Sequence, residues 1–288
     1  MTTSWSTLVQ AEDLAAALGR EDLVVVDCRH SLADPQAGAA AFAAGHVPGA
    51  VHADMDRDLS GTAAPGSGGG RHPWPQAHDL CARLGAWGIT PHHQVVACDG
   101  SDGAFAARLW FLLRALGHWN VAVLDGGWAR WKSLGLPVEV TVATPAPARH
   151  AGSFDRSLLL DADAVQQHLQ TGGLLLDARG AARFRGESEL IDAVAGHVPG
   201  AVNRPYTENL GDDGRFRAPD GLRDDFQRLM AGREAGQVAV MCGSGVTACH
   251  HLLAMAHAGL PGAKLYTGSW SGWIEDPRRP CGAGPVPG

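Results

Sequence analysis

The residue best placed to do chemistry is Cys242. It stands between an apolar run, Val238-Ala239-Val240-Met241, and the loop Gly243-Ser244-Gly245-Val246-Thr247, beyond which Ala248 opens a helix-like stretch. A strand that ends in a cysteine and turns through glycine into a helix aims several backbone N–H groups at one point, and the helix dipole adds positive potential there. A thiol at such a point loses its proton more easily and becomes a nucleophile. The ordinary reading of a cysteine after a strand is a buried core thiol; the glycines favour the nucleophile.

The elements that must position this loop occur twice. Leu23-Val24-Val25-Val26-Asp27-Cys28-Arg29 is echoed by Leu174-Leu175-Leu176-Asp177-Ala178-Arg179. Gly45-His46-Val47-Pro48-Gly49-Ala50-Val51 returns as Gly196-His197-Val198-Pro199-Gly200-Ala201-Val202, and Val121 to Trp128 is answered by Ala263 to Trp270. Three echoes in the same order indicate a duplicated domain. Short apolar strands alternate with helix-like segments such as 104–116 and 247–258, which predicts an α/β fold with parallel sheets covered by helices on both faces. In such sheets ligand sites lie at the carboxyl ends of strands, where Cys242 falls. The stretch from Val138 to Ser157 is rich in proline and small residues and reads as a linker. The expected domains are residues 1–140 and 158–288, joined by 141–157.

Aligning the copies through Val95-Val96-Ala97-Cys98 and Val238-Ala239-Val240-Met241 places Asp99 where Cys242 stands. A carboxylate cannot serve as a thiolate nucleophile, so the first domain is expected to be catalytically silent. Cys98 reads as a core thiol, with a second nucleophile as the alternative. Cys249 falls about two helical turns after Cys242, too far along the axis for an unstrained disulfide, and reads as packing. Trp270 and Trp273 read as core or as walls of a cleft.

Composition limits the partners. The 288 residues carry a formal net charge of -7 and are 45% hydrophobic, with Lys and Arg dispersed, so neither nucleic acid nor an anionic membrane is an expected partner. No apolar run reaches the roughly 20 residues of a membrane span, and the start, Met1-Thr2-Thr3-Ser4-Trp5, lacks a signal peptide's basic and apolar regions. Six cysteines without paired spacing fit reduced thiols in the cytoplasm. The 14 histidines show no ligand spacing with acids or thiols, so no metal is expected.

The loop Cys242-Gly243-Ser244-Gly245-Val246-Thr247-Ala248, with the flanking repeats in order, resembles the active-site loop of the rhodanese-type sulfurtransferases, and among them the 3-mercaptopyruvate sulfurtransferases. The resemblance implies two tandem rhodanese-like domains, the first silent, and makes Cys242 the nucleophile that carries sulfur as a persulfide. It implies no cofactor. It also implies a relay in which Asp56, His72 and Ser244 orient one another, and it makes Arg183 the arginine that binds the donor. N–H groups of Gly243, Ser244, Gly245, Val246 and Thr247 would solvate the outer persulfide sulfur much as an oxyanion hole solvates oxygen.

Thiosulfate-specific relatives carry Arg and Lys in the two positions after the nucleophile, where this chain has Gly243 and Ser244. An uncharged loop suits 3-mercaptopyruvate, whose carboxylate lies away from the sulfur. The expected acceptors are a thiol, thioredoxin or cyanide. Where the best-known mercaptopyruvate enzymes carry a second arginine, this chain has Glu187-Ser188-Glu189-Leu190-Ile191-Asp192, and Arg204 after the second GHVPGAV motif is the expected substitute. Arg185 reads as a solvated arginine. The alternatives are a thiosulfate sulfurtransferase and a non-enzymatic persulfide carrier. A phosphatase is disfavoured because Ala248, six residues after Cys242, stands where such enzymes need a guanidinium.

Overall fold

The computed structural model describes residues 4–284; residues 1–3 and 285–288, which include both outer ends of the expected domains, lie outside the described residues. The chain divides into two compact units. Unit 1 comprises Met1–Gly61, Pro75–Asp155 and Asp212–Phe216, and unit 2 comprises Thr62–Trp74, Arg156–Gly211 and Arg217–Gly288. The main division falls between Asp155 and Arg156, and two segments belong to the unit that sequence order would not assign them. Thr62–Trp74 is the consequential one, because it carries His72 into unit 2.

Unit 1 contains strands β1 (Leu8–Val9), β2 (Leu23–Asp27), β3 (Val51–His52), β4 (Gln94–Cys98) and β5 (Val121–Leu124), all parallel in the order β1-β5-β4-β2-β3. Its helices are α1 (Ala11–Ala17), α2 (Ala37–Ala44), α3 (Ala77–Ala86), α4 (Ala106–Ala115) and α5 (Gly127–Ser133). Unit 2 repeats the plan. Strands β6 (Leu159–Leu160), β7 (Leu174–Asp177), β8 (Val202–Asn203), β9 (Val238–Met241) and β10 (Lys264–Tyr266) form a parallel sheet in the order β6-β10-β9-β7-β8. Its helices are α6 (Ala162–Gln170), α7 (Ala181–Phe184), α8 (Pro219–Met230), α9 (Ala248–His257) and α10 (Ser269–Trp273). The central strands β4 and β9 are buried along their whole length, which is why they read as unbroken apolar runs rather than alternating ones.

The repeated sequence motifs are internal braces. Asp27 and Arg29 form a buried ion pair, and Arg29 Nη2 also donates to the Gly45 carbonyl at 2.7 Å and lies 4.9 Å over Trp128. Asp177 and Arg179 repeat this with the Gly196 carbonyl at 2.8 Å and Trp270 at 4.8 Å. His46 and His197 each stack on a phenylalanine, Phe42 and Phe184, with ring centroids 3.9 Å apart. The GHVPGAV motif therefore ties a helix to the sheet. Trp270 and Trp273 are 0% and 1% exposed and belong to the unit 2 core, so the alternative in which they wall a cleft is corrected. Cys98 is buried and its thiol is pushed well above its ordinary pKa, first by burial and then by Asp27, which fits the core reading.

The linker residue His150 stacks on His118 in unit 1, with His150 Nε2 3.3 Å from His118 Nδ1. Burial, and then His118, lower the His150 pKa to about 4; burial lowers that of His118 as well. An unfolded histidine titrates near 6.5, so between pH ~6.5 and ~4 the unfolded chain binds protons that the folded chain refuses. The stability these groups contribute is present above pH ~6.5 and is lost as the pH falls through that window. The melting temperature should fall over it, and less steeply in His150→Gln. Parallel profiles for the two proteins would refute this assignment.

Candidate active site

Two independent registers confirm which residues are equivalent in the copies. Asp27 on β2 pairs with Cys98 on β4, and Asp177 on β7 pairs with Met241 on β9. The residue that follows each strand is Asp99 or Cys242, and its carbonyl accepts the N–H of Trp128 at 2.8 Å or of Trp270 at 3.0 Å. The following carbonyls, Gly100 and Gly243, accept from Ala129 and Ser271.

Asp99 shows what such a loop does to an anion. Its Oδ1 accepts the N–H groups of Ser101 and Gly103 at 3.2 and 3.0 Å, and its Oδ2 those of Phe105 and Ala106 at 2.9 and 3.1 Å. Burial, then Asp102, push the carboxyl up to about 6, against the pull of these N–H groups. The loop after β4 is an anion cradle already filled by its own side chain.

In unit 2 the equivalent side chain is the Cys242 thiol, 1% exposed, whose backbone N–H donates to Ser269 Oγ at 3.1 Å. The loop turns through Gly245 at φ +78°, a conformation that favours glycine, and enters α9 at Ala248. Cys249 is fully buried and its Sγ donates to the Gly245 carbonyl at 3.3 Å, so it braces the loop. Gly243, Ser244, Gly245 and Val246 are buried and Thr247 is half-buried.

Ser244 Oγ lies 2.7 Å from His72 Nδ1. Which atom donates depends on the histidine tautomer. This pairing of residues 172 positions apart was expected, and the structure brings both into unit 2. Asp56 lies in unit 1, exposed, in the segment after β3.

His72 is held by its loop. The N–H groups of Gly68 and Gly70 donate to Glu275 Oε2 and Oε1 at 2.8 and 3.0 Å, and the Arg71 N–H donates to Ser271 Oγ at 3.1 Å. The loop rests directly on backbone: a Cβ on Gly268 would meet the Gly68 carbonyl oxygen at 2.1 Å. Sequence reading missed both Glu275 and the glycine-to-glycine contact.

It also missed Arg71. A Cβ built on Gly243 would lie 3.0 Å from Arg71 Nη2 and 3.6 and 3.7 Å from Arg183 Nη1 and Nη2. Two guanidinium groups therefore flank the residue next to Cys242. Arg183, on α7, donates to Glu189 through Nε and Nη2 and to Asp192 Oδ2 at 2.9 Å, while Arg71 Nη1 contacts Asp192 Oδ1. Arg185 pairs with Glu187 at the surface.

Arg204 is corrected. Its side chain is 2% exposed, its Nη1 contacts Asn209, and it lies 4.4 Å over the Phe226 ring. Asn209 in turn bonds His250 and His251 of α9. A guanidinium closed into that network braces the helix behind the loop and has no face left for a substrate carboxylate. The second cation beside Gly243 is Arg71. The signal available in sequence was its place next to His72 in a glycine-rich loop, together with an acidic run, Glu187 to Asp192, in need of a partner.

The chain matches known proteins over its length. The rhodanese-like domain profile matches residues 10–134 and 161–276. A Pseudomonas aeruginosa protein named "Probable 3-mercaptopyruvate sulfurtransferase" is 49% identical over 283 residues, covering 98% of this chain and 99% of that one. SseB of Mycobacterium tuberculosis, whose name carries thiosulfate sulfurtransferase, is 39% identical over 293 residues, covering 99% of each. The solved structure of 3-mercaptopyruvate sulfurtransferase from Leishmania major superposes with a TM-score of 0.79 at 30% identity, covering 92% of this chain and 73% of that one. A loop that cradles an anion in one copy and presents a cysteine in the other, on two five-stranded parallel sheets that match this profile, places the chain in the rhodanese-like domain family.

Proposed function

We propose that this chain is a sulfurtransferase that moves sulfane sulfur from 3-mercaptopyruvate to a thiol acceptor through a Cys242 persulfide. The observation that carries the reading is the hydrogen bond between Ser244 and His72, beside a cysteine whose own loop holds no cation. The Cys242 thiolate attacks the donor sulfur, the donor's C–S bond breaks, and pyruvate leaves as its enolate. That carbanion equivalent needs a proton, whereas sulfite leaving from thiosulfate needs none. A hydroxyl paired with an imidazole supplies it: Ser244 delivers the proton and His72 restores it.

Arg71 and Arg183 offer the carboxylate a two-pronged seat outside the loop. The N–H groups of the Cys242 loop hold the persulfide, a role supported by what the equivalent groups do for Asp99. An acceptor thiol, thioredoxin or cyanide then removes the outer sulfur and frees the thiolate, a ping-pong cycle. We place the protein in the reducing cytoplasm, a reading supported by six free cysteines. Among the described residues no helix is long and apolar enough to cross a membrane.

Thiosulfate sulfurtransfer is the second reading, favoured by the guanidinium pair. Steady-state turnover with the two donors in parallel, with cyanide or a dithiol as acceptor, separates them. The expected result is a kcat/KM for 3-mercaptopyruvate at least about tenfold above that for thiosulfate, the discrimination that about 1.4 kcal/mol provides. A preference for thiosulfate would overturn the donor assignment, and a single sulfur loading without turnover would point to a carrier.

A further inference from the structure

The acidic run that replaces a second arginine does not leave the site unserved; it alters its charge. Asp192 is 3% exposed at its side chain, and each of its carboxylate oxygens takes one guanidinium, Oδ1 from Arg71 and Oδ2 from Arg183. Glu189, equally buried, chelates Arg183 and accepts the N–H groups of Ile191 and Asp192, fixing the turn that presents Asp192. Arg71 and Arg183 contribute two positive charges beside Gly243, and Glu189 and Asp192 two negative ones, so the cluster is formally neutral.

Burial leaves the Asp192 carboxyl above its ordinary pKa despite both arginines, as expected for an acid whose ionised form depends on a close ion pair. The segment that carries it, 187–195, forms no helix or strand, and Leu190 and Ile191 next to it are 93% and 47% exposed. Little apolar burial holds this segment down.

We propose that Asp192 is a specificity-determining residue: an internal carboxylate seated between Arg71 and Arg183 that cancels their attraction for a dianionic donor. A monoanionic donor whose carboxylate is remote from its sulfur loses little by this, since it can share or displace Asp192 on the two guanidinium groups. Thiosulfate carries both charges close to the sulfur and meets a neutral cluster where an unmasked pair would attract it. The inference rests on the reading that Cys242 takes sulfur from a small anionic donor.

Asp192→Asn keeps shape and most hydrogen bonding while leaving one net positive charge. The ratio of kcat/KM for thiosulfate to that for 3-mercaptopyruvate should rise about tenfold, the effect of one added charge interaction of about 1.4 kcal/mol, and Asp192→Glu should restore the original ratio. A structural defect would lower both donors together, so an unmoved ratio would overturn the proposal. If Asp192→Asn does not fold, the wild-type protein still decides: its KM for thiosulfate should change little between low and physiological ionic strength, and a steep rise would reveal an unmasked cationic site. Mass analysis of wild type after exposure to each donor keeps the two readings apart. No sulfur on Cys242 from either donor defeats the parent function; loading with an unmoved ratio defeats the role of Asp192 alone.

Discussion

Cys242→Ser should lose at least about ten-thousandfold in kcat with either donor, the scale on which enzymes lose activity when a covalent nucleophile is removed. A hydroxyl is far less acidic than a thiol and far less reactive toward sulfur, and nothing around it compensates. The substitution removes no bulk, and the backbone contacts of Cys242, its N–H to Ser269 and its carbonyl to Trp270, are independent of the side chain. Stability should therefore stay within about 1 kcal/mol of wild type. Intact-mass analysis after donor treatment should show one added sulfur on the wild type and none on the variant. Addition to the variant would transfer the role to another thiol. Cys28 and Cys98 are poor candidates, since burial pushes both thiols well above their ordinary pKa.

The fate of Asp99 makes that expectation sharper. A carboxylate at the equivalent position collects four backbone N–H groups, which pull its pKa down against a burial that leaves it at about 6. On the proposed function, the equivalent place in the second copy holds a sulfur that can be passed on, and the identity of a single residue separates the two copies.

That division explains what sequence could and could not reveal. The β9–loop–α9 unit is local: strand, glycine turn and helix follow within a few residues, so the place of Cys242 at the end of β9 was legible. The repeat exposed the second copy and its substituted aspartate for the same reason. The cationic half of the site is non-local. Arg71 meets Asp192 across 121 positions, and the Gly68 and Gly70 N–H groups meet Glu275 across more than 200. The acidic run from Glu187 to Asp192 signals that a cation is needed, but charge spacing along the chain does not say which one comes to it. Arg204 misled because a residue after a repeated motif looks alike whether it faces a substrate or the back of a helix. Burial decides between them, and here Arg204 is sealed against Phe226 and Asn209.

Gly70→Ala should cost about a hundredfold in kcat/KM while leaving the fold in place, although Gly70 bears no reacting group. Its φ is +69°, and a Cβ there would stand 2.4 Å from Ser271 Oγ, 2.6 Å from the Gly268 carbonyl oxygen and 3.0 Å from the Gly272 nitrogen. Two of those neighbours are backbone, so the loop must move rather than a side chain. Its movement breaks the Gly70 bond to Glu275 and carries Arg71 and His72, the next two residues, away from Gly243 and Ser244. Displacing positioned groups by about 1 Å commonly costs about a hundredfold. Gly66→Ala is the matched control: its φ is +78°, yet nothing lies within 4 Å of the added Cβ. Both variants bear the backbone cost of roughly 1–2 kcal/mol for a left-handed alanine, and only Gly70→Ala should lose turnover. Because the Cys242 loop is untouched, slow sulfur loading of the Gly70→Ala protein should remain detectable by mass. Equal activity in the two variants would mean that the loop's precise seat does not govern catalysis, and loss of loading in Gly70→Ala would mean that His72 and Arg71 act on the first half-reaction as strongly as the thiol does.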